Sequence, residues 1–300
     1  MLGFISGCQE KADKDEKFKE KPEVTEKTKA PYEAEYYTDE GTVVHPQGAD
    51  IDQHGILHVG NYERKGQVAA IMDTVSHEVK ATLKEEALIH ALLFSHEEEM
   101  IVATDYTLHY FNQRVAGSSV TYTMLPEEAL IKDMTFSSKG KLYILAHEDG
   151  KSRIYHVNEE GEAEVWTTLS DHYTMMKWSD MHEGFFMGDT ANKSITLSKV
   201  EKNEVTDEKE WVTLPSGTPG GLAVDSLGGV FVTVKNEAQV IRYDKRGKED
   251  IVINLEDPKP GAIALGGKRG RHCFVLTEGS QRVVMFGVDV PGQEWVRANY

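Results

Sequence analysis

Cysteine is almost absent from this 300-residue chain, which holds only Cys8 and Cys273. Two thiols so far apart exclude a disulfide framework and a thiolate zinc site. No run of eighteen apolar residues occurs, so no segment reads as a membrane-spanning helix. Positive charge is scarce as well: 33 Lys and Arg stand against 50 Asp and Glu, a net charge of −17. Nucleic-acid binding needs clustered Lys and Arg against phosphate, and no such patch appears. A Gly-x-Ser-x-Gly elbow is missing, and no His-x-x-x-His pair sits on a helical segment. What the chain does have is 39% hydrophobic residues, enough for a sizeable core. Its length would suit two domains, but all-β barrels and propellers spend comparable lengths on one.

Residues 1–35 read as a separate object. Ile5-Ser6-Gly7-Cys8 resembles the bacterial lipobox, in which an apolar and two small residues precede a lipidated cysteine. Only seven residues precede Cys8, whereas a signal peptide needs an apolar stretch of roughly 7–15 residues. A longer natural leader, with Cys8 as the first mature residue, is the expectation that follows. Gln9 to Pro31 holds seven Lys and seven Asp or Glu, with Phe18 as its one aromatic residue. Such a segment buries too little apolar surface to offset its chain entropy and reads as a disordered, hydrated tether. The resemblance thus implies an extracytoplasmic lipoprotein of the bacterial cell envelope, touching the membrane through its lipid alone.

Residues 36–300 repeat. A short apolar strand, a turn and a stronger apolar strand recur six times, beginning with Ala49–Asp52 followed by Ile56–Val59. The residues closing each first strand are Asp52, Ser95, Ser137, Ser179, Asp225 and Gly266, spaced 43, 42, 42, 46 and 41 apart. A period of about 42 is that of a propeller blade. Third strands follow at Ser152–Val157, Ser194–Val200, Gln239–Tyr243 and Arg282–Val288, and Trp166, Trp211 and Trp295 mark outer strands. The expectation is an all-β, six-bladed β-propeller with four-stranded antiparallel blades. Both termini are expected to meet in blade six, with Gln293–Ala298 available as its outer strand and Tyr36–Thr38 or Thr42–Val44 able to join it from the N-terminal side.

Several copies resemble the NHL type of repeat: Pro46-Gln47-Gly48 and Pro219-Gly220-Gly221 match its start, and Asp189-Thr190-Ala191-Asn192-Lys193-Ser194-Ile195 its end. The architecture is similar to that of the gluconolactonase-like hydrolases, which hold a divalent metal through Glu, Asn and Asp where first strands enter the funnel. The corresponding residues here are Gln47, His90, Lys132, Thr174, Gly220 and Gly261. None is a carboxylate, and hard cations want several charged or carbonyl oxygens. Streptogramin lyases are also similar; Glu278 suits their carboxylate position, but Gly220 and Gly261 stand where their histidine would be.

Loops after second strands should form a ring on one face, comprising Asn61, Asp105, His147, Asp189, Lys235 and Glu278. A mixed-polarity rim around an apolar funnel suits a small polar ligand. Within it, His147 and Glu278 are expected to be functional and Asp189 structural, holding the following turn. Gly266–Gly270 links two strands and lacks the helix that a phosphate loop requires. His54, His96 and His182 fall in turns, and Cys273 reads as a small buried hydrophobe. The expected function is ligand or envelope-protein binding without catalysis, cofactor or metal. The alternative is a propeller hydrolase or lyase with a diverged active site.

Overall fold

The structure is a computed structural model that describes residues 32–71, 79–84, 87–97, 99–111, 119–158, 160–169, 173–202 and 204–300. Cys8 and the tether up to residue 31 lie outside the described residues.

Six four-stranded antiparallel sheets form the blades. Their inner strands are Ala49–Ile51, Ile89–Phe94, Leu130–Phe136, Tyr173–Ser179, Thr218–Val224 and Pro260–Gly266, in blades one to six. Second strands such as Met100–Thr104 and Gly184–Asp189 are buried along their whole length, sandwiched between neighbouring blades. Burial on both faces explains why they read as continuous apolar runs. The outer strand Glu204–Thr213 is mostly exposed and correspondingly charged.

The core is divided into clusters, each spanning two adjacent blades, such as Met175, Phe186 and Ile195 against Leu222, Val232 and Ile241. The cluster of Val59, Ala69 and Tyr37 with Phe274 and Leu276 joins the last blade to the first. A single blade could not bury these faces, so the ring must close to be stable.

The period of about 42 has a local cause. Asp52, Ser95, Ser137 and Asp225 each accept backbone N–H bonds from the residues two and four ahead, with donor–acceptor distances between 2.9 and 3.3 Å. A short oxygen-bearing side chain therefore pins each of these hairpins. The turns also need a residue with positive φ, supplied by Gly55, Gly140 and Gly228 at +83°, +73° and +79°.

Ring closure takes the N-terminal of the two expected routes and rules out the C-terminal strand. The outer strand of blade six comes from the N-terminal side, where Glu35 and Tyr36 pair with Met285 and Val284. Tyr37 continues inward, packing edge-on against Phe274 at 5.1 Å. Gln293–Asn299 is not a strand but the helix α1, so Trp295 is a helical residue while Trp166 and Trp211 lie in outer strands. Glu294 in its first turn and Arg297 in its last complement the helix dipole.

Helix α1 sits where the inner strands end. Gln293 donates through Nε2 to the Trp178 carbonyl and accepts from the Asp180 N–H, at 3.0 and 2.7 Å. Arg297 binds the Asp180 carboxylate and the Phe136 carbonyl. Beneath it, Asp50, Lys177 and Glu294 line a narrow space at that end of the central channel.

Candidate functional site

At the opposite end, where inner strands begin, the ladders to the second strands are irregular. Register breaks fall between Ile89 and Ala91, Ile131 and Asp133, Tyr173 and Met175, Pro219 and Gly221, and Pro260 and Ile263. A residue left out of a ladder re-aims its side chain, and bulges recur beside active sites for this reason. The residues left out include His90, Lys132, Thr174, Gly220 and Gly261. Gln47 precedes Gly48 at the matching place in blade one, where the Gly48 carbonyl accepts the Gly60 N–H at 2.8 Å. All six line one cavity of about 360 Å³. Its walls also carry Asp133, Lys177, Lys235 and Glu278. The funnel is therefore more charged than the apolar one expected.

The rim residues divide into two groups. Lys235 and Glu278 line the cavity and form an ion pair across blades five and six. Asp105 accepts from His90 Nε2 at 3.1 Å, joining the rim to the bulge. A carboxylate can only accept here, so Nε2 carries a hydrogen, and in the neutral ring Nδ1 is the nitrogen with the lone pair. The other three residues, His147 among them, make hydrogen bonds within the fold and do not line this cavity. Asn61 is fully buried, donates to the Ile89 carbonyl at 2.8 Å and accepts the Ile89 N–H at 3.1 Å, stitching blade one to blade two. His147 Nε2 bonds the Tyr173 carbonyl at 2.7 Å, between blades three and four. Asp189 accepts the N–H groups of Ala191 and Asn192, both at 2.9 Å, and the Asn192 amide at 2.7 Å.

Replacing Asp189 by alanine should therefore cost about 1–3 kcal/mol, since three hydrogen bonds to a charged, buried acceptor that pin the following turn are lost. A lowered urea midpoint with an unchanged m-value would be the signature.

Two lysines in the funnel are paired and one is not. Lys177 reaches Asp133 at 3.4 Å, and burial of this ammonium is outweighed by the carboxylates around it. Lys235 is held by Glu278. Lys132 is half-buried and has no hydrogen-bond or ion-pair partner among the described residues; burial pushes its ammonium below the ordinary lysine range.

The divalent metal implied by the gluconolactonase-like resemblance does not fit these residues. The six positions hold no carboxylate, and Lys132 brings a positive charge among them. Gly220 cannot take a ligating side chain, because a Cβ there would stand 2.5 Å from the Pro260 carbonyl oxygen. Among the described residues no group of three or more His, Cys, Asp or Glu could hold a metal ion.

A family described as the SMP-30/Gluconolactonase/LRE-like region matches residues 50–279. Comparison with curated proteins returns no match. Regucalcin from Agrobacterium tumefaciens, titled a calcium-binding protein, superposes with a TM-score of 0.72 at 15% identity, over 86% of this chain and 95% of its own. A putative gluconolactonase reaches 0.73 at 13% identity, over 87% and 93%. A streptogramin B lyase gives 0.58 at 12% identity, over 85% and 87%. At these identities the structural likenesses speak for the six-bladed propeller, of which the NHL motif is a looser description. The family match, spanning most of the chain, overturns the expectation of a non-catalytic binding module and favours the lactonase-like alternative. This chain belongs to the SMP-30/gluconolactonase/LRE-like family.

Proposed function

We propose that this chain is a lactonase-like hydrolase of small polar esters or lactones, working in the funnel with His90 as general base. The observation that carries the reading is the His90–Asp105 pair, standing at a bulge on the wall of the cavity. Asp105 fixes the tautomer, which leaves the other ring nitrogen to take a proton from water as the water attacks the carbonyl carbon. The imidazolium then returns that proton to the departing alkoxide as the ring C–O bond breaks. Water is thereby added across one ester bond, giving an acid and an alcohol. Asp105 also steadies the transient positive charge on the ring, as a carboxylate does beside any histidine base.

No step runs through a metal, because the residues that would hold one are replaced. The test is turnover of a panel of small lactones and esters by chelator-dialysed protein. Retained turnover that does not rise with added Ca²⁺ or Zn²⁺ supports the reading. No turnover of any member, or turnover that appears only with added metal, overturns it. Anchoring through Cys8 and an extracytoplasmic location belong to the same proposal and rest on the lipobox-like segment.

A further inference from the structure

Resting on that hydrolase reading, we propose that the substrate is an anion, carrying a carboxylate or phosphate group that pairs with the ammonium of Lys132. The charged side chains lining the cavity are Lys132, Lys177, Lys235, Asp133 and Glu278. Lys177 is matched by Asp133 and Lys235 by Glu278, so one positive charge remains. The chain as a whole carries −17. The Asp105 carboxylate stands behind His90 and is mostly exposed, so the positive charge is local to Lys132, and a cleft with low-dielectric walls focuses its field on an incoming ligand.

An unmatched charge in a half-buried position is costly unless something pairs with it. Nothing in the described protein does so for Lys132, although Asp133 is its neighbour in sequence. Asp133 is turned to other work: its Oδ2 accepts the Met176 N–H at 2.9 Å, and Oδ1 faces Lys177. The register break places Lys132 outside the ladder of blade three, one blade from His90 in blade two. An anion held by Lys132 would thus keep its reactive carbonyl on the His90 side of the funnel. Gln47, Thr174, Thr190 and Thr218 add uncharged polar groups to the lining, suited to hydroxyls on the same molecule. A neutral sugar lactone would leave the ammonium without a partner.

Burial holds Lys132 below the ordinary lysine range, the direction an unpaired ammonium takes. A bound anion would restore it toward that range. The pairing is a point-charge contact, since an ammonium lacks the planar fork that arginine offers a carboxylate.

The experiment titrates malonate, inorganic phosphate and neutral glucose into the full chain by calorimetry, alongside Lys132→Gln, Lys132→Arg and His90→Gln. We expect one anion to bind, glucose not to compete with it, and affinity to weaken with added salt. Lys132→Gln should weaken anion binding roughly 10- to 100-fold, the loss of one charge-assisted hydrogen bond. Lys132→Arg should recover part of it, and His90→Gln should keep it. Preference for malonate assigns a carboxylate, and preference for phosphate assigns a phosphoryl group. Anion affinity unchanged in Lys132→Gln, or no binding of either anion, overturns the inference. Should anion binding depend on Lys132 while no lactone or ester turns over, the hydrolase reading fails and the anion site stands.

Discussion

His90→Gln is expected to lower kcat/KM for the best substrate by about 10²–10⁴-fold, the usual contribution of a positioned acid–base group. Glutamine retains a polar end that can meet Asp105 but cannot carry a proton in either direction. The His90 side chain is largely buried, but glutamine has a similar volume and can still meet the mostly exposed Asp105, so little packing is lost. The melting temperature should therefore hardly move. Asp105→Asn separates orientation from packing: the amide can donate to Nε2, which would favour the tautomer with hydrogen on Nδ1. Activity should drop in that variant too, since the imidazolium formed during the step loses its carboxylate. Full activity in His90→Gln would remove the catalytic assignment.

The blades were legible because their cause is local. An oxygen-bearing residue closes most inner strands, a glycine with positive φ follows in three hairpins, and the second strand is apolar on both faces. Helix α1 was not legible. Gln293-Glu294-Trp295-Val296 fits a strand with one outward tryptophan as well as one helical turn. The choice was made elsewhere, because Glu35 and Tyr36 already occupy the free edge of blade six, some 250 residues away in the chain. The funnel positions were read correctly as positions, yet two of their roles needed three dimensions. His90 and Asp105 are 15 residues apart across a hairpin, and only the pairing of Ile89 with Thr104 brings them together. Lys132 was visible as an obstacle to a cation. Its lack of a partner shows only once Asp133 is seen bound to blade four.

Asp50→Asn should stabilise the protein increasingly as pH rises. Asp50 is buried near the α1 end of the channel, and its Oδ2 accepts the Phe94 N–H at 2.8 Å. Burial, and then the Glu294 carboxylate on α1, raise its pKa to about 8, with Lys177 opposing. The unfolded carboxyl ionises near its ordinary value of 3.8. Below that value both states are protonated and the group has no effect on stability. Between about pH 4 and pH 8 the unfolded chain has released the proton while the folded one keeps it. Folding then takes up a proton, so stability falls with rising pH, by about 1.4 kcal/mol per pH unit for a single group. Above the folded value the loss is complete and the dependence flattens. An asparagine keeps the acceptor for Phe94 and has no proton to exchange. The stability difference between Asp50→Asn and the natural chain should accordingly grow by roughly 4 kcal/mol between about pH 5 and pH 8. Urea titrations of both proteins at several pH values measure it directly, and taking the difference cancels the other carboxylates, Asp52 and Asp257 among them. A difference that stays constant across this range would mean that Asp50 is ionised in the folded protein, matched by Lys177. Glu294→Gln offers the complementary check, because removing the neighbouring negative charge should shorten the window from its upper end.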